Sequence, residues 1–74
     1  MPDADLQKLK DRAAQGDAAA QNELGDRYYK GNGVSKDPRA ALQWYMQAAQ
    51  AGYAPAQASI VTVIKENPGI TGAQ

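Results

Sequence analysis

Apolar residues recur at three- and four-residue spacing through most of the chain, the mark of helices that bury one face. The first predicted helix, about 4–15, puts Leu6, Leu9 and Ala13 on one side, with Asp3 or Asp5 to cap its start and Gly16 to end it. A second, about 18–30, carries Ala20, Leu24 and Tyr28 four apart, between Asp17 as N-cap and Gly31 as stop. Glu23 and Arg27, also four apart, make a pair on its other side that is worth a few tenths of a kcal/mol at most. The third, about 38–51, leaves only a narrow wet stripe of Arg39, Gln43, Gln47 and Gln50. The rest of its surface is apolar (Ala41, Leu42, Trp44, Tyr45, Met46, Ala48, Ala49), so it must touch neighbours on more than one side. In the last segment, "PAQASIVTVIKEN", the β-branched run from Ile60 to Ile64 reads as a strand on propensity alone. Ile60, Val63 and Ile64 at i, i+3 and i+4 also allow a helix, and "NPGITG" ends the segment in either case.

An internal repeat decides between strand and helix. Shifted by about 36 residues, "AAQGDAAAQNEL" falls on "AQAGYAPAQASI", matching Ala13 with Ala49, Gly16 with Gly52, Ala18 with Ala54, Ala20 with Ala56 and Gln21 with Gln57. Leu6 falls on Leu42 and Leu9 on Tyr45. The register makes the last segment a helix. It divides the single domain, residues 1–74, into a partial repeat (3–16), a full repeat (17–52), a second partial repeat (53–67) and a tail (68–74). The expected fold is all-α, an α/α superhelix or solenoid of antiparallel helix pairs with about four helices, in which the many alanines let helix axes approach closely.

The stretch "YYKGNGVSKDPRAALQWY" contains two glycines and a lysine before a helix, as phosphate-binding loops do. Such a loop needs a preceding strand and a lysine directly after its last glycine, whereas here a helix precedes and Lys36 stands three past Gly33. The reading that fits is a hinge: Gly31 ends one helix, Gly33 permits a left-handed turn, Val34 tucks inward, and Asp37 caps a helix that opens on Pro38.

From Ala18 to Gly52 the chain closely resembles a Sel1-like repeat, a relative of the tetratricopeptide repeat. The resemblance rests on Ala18, Ala20, Gln21, Leu24-Gly25, Tyr28, Gly31-x-Gly33-Val34, Asp37, Ala40, Trp44-Tyr45, Ala48-Ala49 and Gly52. It implies a helical solenoid used as a scaffold for protein–protein contacts. In the second partial repeat Gly25 is answered by Val61 and Tyr28 by Ile64. A glycine in mid-helix costs about 1 kcal/mol against alanine, which close approach by the following helix at Ala41 or Ala48 would justify. Tyr28, Trp44 and Tyr45 are expected in the space between helices with their polar tips near the rim.

Composition narrows the function. The 74 residues include no Cys and no His, and eight basic residues balance eight acidic ones. Disulfides and Cys/His metal sites are thereby excluded, and a core of this size supplies only about 3–5 kcal/mol, so an interaction module is a natural reading. Without a block of like charge there is no field to draw nucleic acid or an anionic membrane, and no apolar run reaches the length of a membrane span. No cofactor is implied. The polar start "MPDADLQKLK" is unlike a signal peptide, so the cytoplasm is the expected compartment, although an exported protein whose signal is missing would read the same. An enzyme would have to work with carboxylates such as Glu23 and Asp26, both expected on a solvated face as ordinary surface charge.

A non-enzymatic protein or peptide binder fits better. By resemblance to tetratricopeptide grooves, its contacts would come from the first helix of each pair: Ala19, Asn22, Asp26, Tyr29 and Lys30, then Ala58, Thr62 and Lys65. Tyr29 is the strongest single candidate, a rigid amphipathic side chain next to the core Tyr28 but pointing elsewhere. A rival reading is self-association. Ile60, Val61, Val63 and Ile64 form an apolar surface with no second helix to cover it, and repeats of this kind usually need roughly three copies for stability. The tail with Ile70 folded back, a second copy in a homodimer, or a foreign partner would each serve.

Overall fold

The computed structural model describes residues 4–70. Among them all regular structure is helical, in four helices: α1 (Ala4–Ala14), α2 (Ala18–Lys30), α3 (Pro38–Gln50) and α4 (Ala54–Glu66). Asp3, one of the two caps expected for α1, lies outside the described residues, and Asp5 sits in the first turn of that helix.

Helix starts and stops follow local chemistry. Asp17 accepts a hydrogen bond from the Ala20 N–H at 3.2 Å and Asp37 one from the Ala40 N–H at 3.1 Å, so both central helices begin on a side-chain cap. Pro38 fills the first turn of α3, where its missing N–H costs nothing. At the other end of α2, Gly31 takes the left-handed conformation (φ 73°) and returns its N–H to the Arg27 carbonyl at 2.8 Å. The hinge then closes on itself, because the Asp37 N–H donates to the Tyr28 carbonyl at 2.8 Å.

The β-branched segment is helical, and burial is the reason. Val63 is 1% exposed and Ile60 half-buried, both against the second core cluster, so tertiary packing overrides local strand propensity. Thr62 and Ser59 donate their hydroxyls to the carbonyls of Ala58 and Pro55, one turn back, so their polar groups are paired within the helix.

Two apolar clusters hold the helices together. Leu6, Leu9 and Ala13 of α1 meet Ala20 and Leu24 of α2, with Tyr28, Val34 and Trp44 packed alongside. Ala41 and Tyr45 of α3 meet Val63 of α4 and Ile70, with Tyr28, Tyr29, Leu42 and Ile60 beside them. Tyr28 therefore joins the two clusters. Ile70 does fold back, and it stands 36 residues beyond Val34, which seals the first cluster in the same way.

Neighbouring helices pack in chain order, α1 on α2, α2 on α3 and α3 on α4. α2 also approaches α4 directly, whereas α1 and α3 stay apart. The first helices of the two pairs, α2 and α4, thus lie closer to each other than α1 and α3 do.

Candidate functional site

A cleft of about 270 Å³ opens between α2 and α4. Asp26, Tyr29 and Lys30 line it from α2, and Ala58, Ser59, Thr62 and Val63 from α4, with the buried Tyr45 of α3 behind them. Five of the eight contact residues expected from the sequence come together here: Asp26, Tyr29, Lys30, Ala58 and Thr62. The other three do not line it. Ala19 is exposed near the start of α2, Lys65 is exposed one turn beyond Thr62, and Asn22 is half-buried with its Oδ1 enclosed and unpartnered.

Asp26 corrects one expectation. Instead of lying on a wet face with Glu23, it is half-buried, and its Oδ1 accepts the Tyr45 hydroxyl proton at 2.5 Å. The physical reason is the adjacent Gly25, over which the Tyr45 ring passes so closely that its hydroxyl arrives at the next residue. Tyr45 is itself only 2% exposed, so its polar tip is paired internally rather than placed at the rim. Burial, reinforced by the Asp26 carboxylate, pushes its phenol far above the ordinary value.

Tyr29 is the second phenol of the cleft. Its hydroxyl donates to Glu66 Oε1 and so ties α2 to the end of α4. That hydrogen bond raises the Tyr29 pKa, and it keeps the ring from swinging freely. Both phenols are therefore protonated donors at neutral pH, already engaged with carboxylates, and neither is tuned to exchange a proton with a substrate. The site offers an aromatic wall, hydroxyls and the exposed Lys30 ammonium. It is suited to holding a partner's side chains.

Sequence reasoning missed Ser59, Tyr45 and Glu66 in this region. Glu66 carries no signal in the repeat pattern. Tyr45 was legible as core, but its approach to the cleft depends on the depth to which Gly25 admits its ring.

A larger hollow, about 600 Å³, lies between the hinge and the tail, lined by Lys36, Asp37, Pro38 and Arg39 and by Glu66 to Ile70. Its walls are loop and tail on most sides. Its two cations are balanced by Asp37, which is occupied as a cap, and by Glu66, which accepts from Tyr29.

The four residues expected to form an uncovered apolar surface separate into two pairs. Ile60 and Val63 turn inward to the second cluster, so Val63 belongs to the core and not to a surface. Val61 (54% exposed) and Ile64 (36%) face outward.

Comparison with known proteins adds the lineage. The Sel1 repeat model matches residues 18–53. Over 43 residues, 58% of the chain, the sequence is 46% identical to the secretory immunoglobulin A-binding protein EsiB of Escherichia coli O6:H1 (strain CFT073), and the match spans 9% of that protein's length. No solved structure gives a significant match.

Proposed function

The chain belongs to the Sel1-like repeat family, whose members are generally protein–protein interaction modules, and from this premise we propose that it holds a protein or peptide partner in the cleft between α2 and α4 and catalyses no reaction. The observation that carries the reading is the cleft itself. Its rim residues Lys30, Ala58 and Thr62 are exposed and serve neither core cluster, while Tyr29 is anchored at one end by Glu66. A tyrosine fixed by its own hydrogen bond loses little freedom on binding, which favours it as an anchor.

Size argues for a peptide over a metabolite. Pockets that enclose small molecules run to about 300–1,000 Å³, and this cleft, at about 270 Å³, is smaller and lies open between two helices. It takes one or two side chains of a partner whose remaining contacts spread along α2 and α4. The relative from Escherichia coli bears immunoglobulin A binding in its name, but the match covers 9% of it, so only the class of ligand, a protein, is carried over.

Ala58→Arg tests the reading. The residue is exposed, so the bulkier side chain fills the cleft without entering the core. Affinity capture from the native cell is expected to retain a protein on the wild-type chain and lose it on Ala58→Arg at unchanged melting temperature. Retention of the same protein by the variant would move the binding surface elsewhere.

A further inference from the structure

The two repeats are not equally covered. The 36-residue register sets Leu6 on Leu42, Gly25 on Val61 and Tyr28 on Ile64. Leu6 is 7% exposed and Gly25 is buried under α3, whereas Leu42 is half-buried and Val61 and Ile64 are 54% and 36% exposed. Met46, four residues after Leu42 and 45% exposed, extends the row along α3. The open side of α3 and α4 is thus the apolar side that α3 covers one repeat earlier.

The chain's own helices narrow what can cover it. Another copy's α3 cannot dock as α3 docks on α2, because the Tyr45 ring needs the bare backbone of Gly25. A single Cβ there would already stand 2.7 Å from the ring, and α4 places a valine in that seat. The outward face of α1 carries Asp5, Gln7, Lys8, Asp11 and Arg12, all exposed, and pressing it on Val61 would strip water from charges with nothing to replace it. Among the described residues, α4, with Met46 of α3 beside it, offers a surface of matching chemistry. Its two charges, Lys65 and Glu66, both lie in its last turn. In an antiparallel α4–α4 crossing they face the uncharged first half of the other helix, so no like charges meet, and the helix dipoles oppose favourably.

We propose that two copies of this chain pair tail to tail through α4, with Val61 and Ile64 of each at a two-fold axis. Such an interface uses the same patch twice and closes, so association stops at two. A 13-residue helix is about 20 Å long, which keeps the contact at the small end of specific interfaces, and the pair dissociates on dilution. The pairing is independent of what the cleft binds.

Sedimentation equilibrium over a wide concentration range is the test. The wild-type mass is expected to rise from 7.9 kDa to twice that value, while Val61→Asp and Ile64→Asp each weaken pairing by roughly tenfold or more with unchanged helical content by circular dichroism. Lys8→Glu, on α1, pairs like the wild type. In a mixed sample of labelled and unlabelled chains, intermolecular contacts are expected between the Val61 and Ile64 methyls, a readout that needs no variant. A wild-type chain that stays at 7.9 kDa throughout, assemblies that grow past two copies, or a dimer indifferent to both aspartates would each overturn the proposal.

Discussion

The Tyr45 ring lies directly on the backbone of Gly25: a Cβ built on that glycine would stand 2.7 Å from Cε1 and 2.8 Å from Cδ1, with the Ala41 carbonyl oxygen at 3.2 Å. One residue further along α2, Asp26 accepts the hydroxyl of the same ring. Gly25 is therefore the seat and Asp26 the anchor by which α2 holds α3. Because Tyr45 is 2% exposed and tethered, it cannot swing aside to admit another atom.

Gly25→Ala sets two known effects against each other. Alanine gains about 1 kcal/mol in helix propensity, while overpacking a fixed ring costs roughly 1–3 kcal/mol. Overpacking is expected to win by about 1 kcal/mol, because the nearest atoms belong to a tethered ring and a backbone carbonyl. Urea unfolding measures it. In a Tyr45→Ala background, where the ring is gone, the same change is expected to become neutral or stabilising, and that reversal identifies the ring as the cause.

The Tyr45 phenol also makes stability depend on alkaline pH. Its pKa is raised in the folded chain, first by burial and then by Asp26, above the ordinary 10.0. Below that ordinary value both states hold the proton and the contribution is complete. As pH rises past it the unfolded chain releases the proton first, so stability falls. Tyr45→Phe is expected to cost about 1 kcal/mol at neutral pH through the lost hydrogen bond. It should also flatten the decline in urea midpoint as the pH rises past about 10. Tyr29→Phe removes the half-buried counterpart, whose pKa is raised chiefly by its hydrogen bond to Glu66, and serves as the comparison.

Much of this fold was legible because its signals agree across levels. Asp17 and Asp37 cap the helices they precede, Gly31 ends α2, and Val34 packs against the first cluster. The repeat register also turned a strand-like run into a helix. The close approach at Gly25 was legible too, though its agent was not. Ala41 supplies only a backbone oxygen, and the ring of Tyr45 is nearer, because side-chain direction across a helix pair depends on a crossing that spacing alone does not encode. The burial of Asp26 followed from the same ring. Five of the cleft residues were found from register, whereas the link between Tyr29 and Glu66 joins residues 37 apart on elements that no local pattern relates.

Loss of either cap is expected to be felt by its whole helix. Asp17→Ala and Asp37→Ala should each cost about 1 kcal/mol in thermal or urea unfolding, since each leaves an N–H of the first turn without its partner. Asp17 carries a pH signature as well. The Ala20 N–H, and secondarily Arg12, hold its carboxyl below the ordinary 3.8. Its contribution is therefore present above that value and is lost as pH falls through the lower, folded one. Asp17→Asn keeps an acceptor and is expected to remove this part of the acid limb while sparing most of the stability near neutrality.

Val61 and Val63 separate the two readings of the β-branched segment. In a strand, residues two apart point to the same side, and trimming either valine would cost about the same. In α4 they are about 200° apart around the axis, and the exposures differ accordingly, 54% against 1%. Val63→Ala deletes buried methyl groups at about 0.8 kcal/mol each and leaves part of a cavity, so a loss of roughly 2 kcal/mol is expected. Val61→Ala removes little buried surface and replaces a β-branched residue with the best helix former. In dilute solution, where copies do not pair, it should leave stability unchanged or raise it by a few tenths of a kcal/mol. Equal losses for the two substitutions in urea titrations would contradict this arrangement, because α4 is rotated so that Val63 enters the core and Val61 does not.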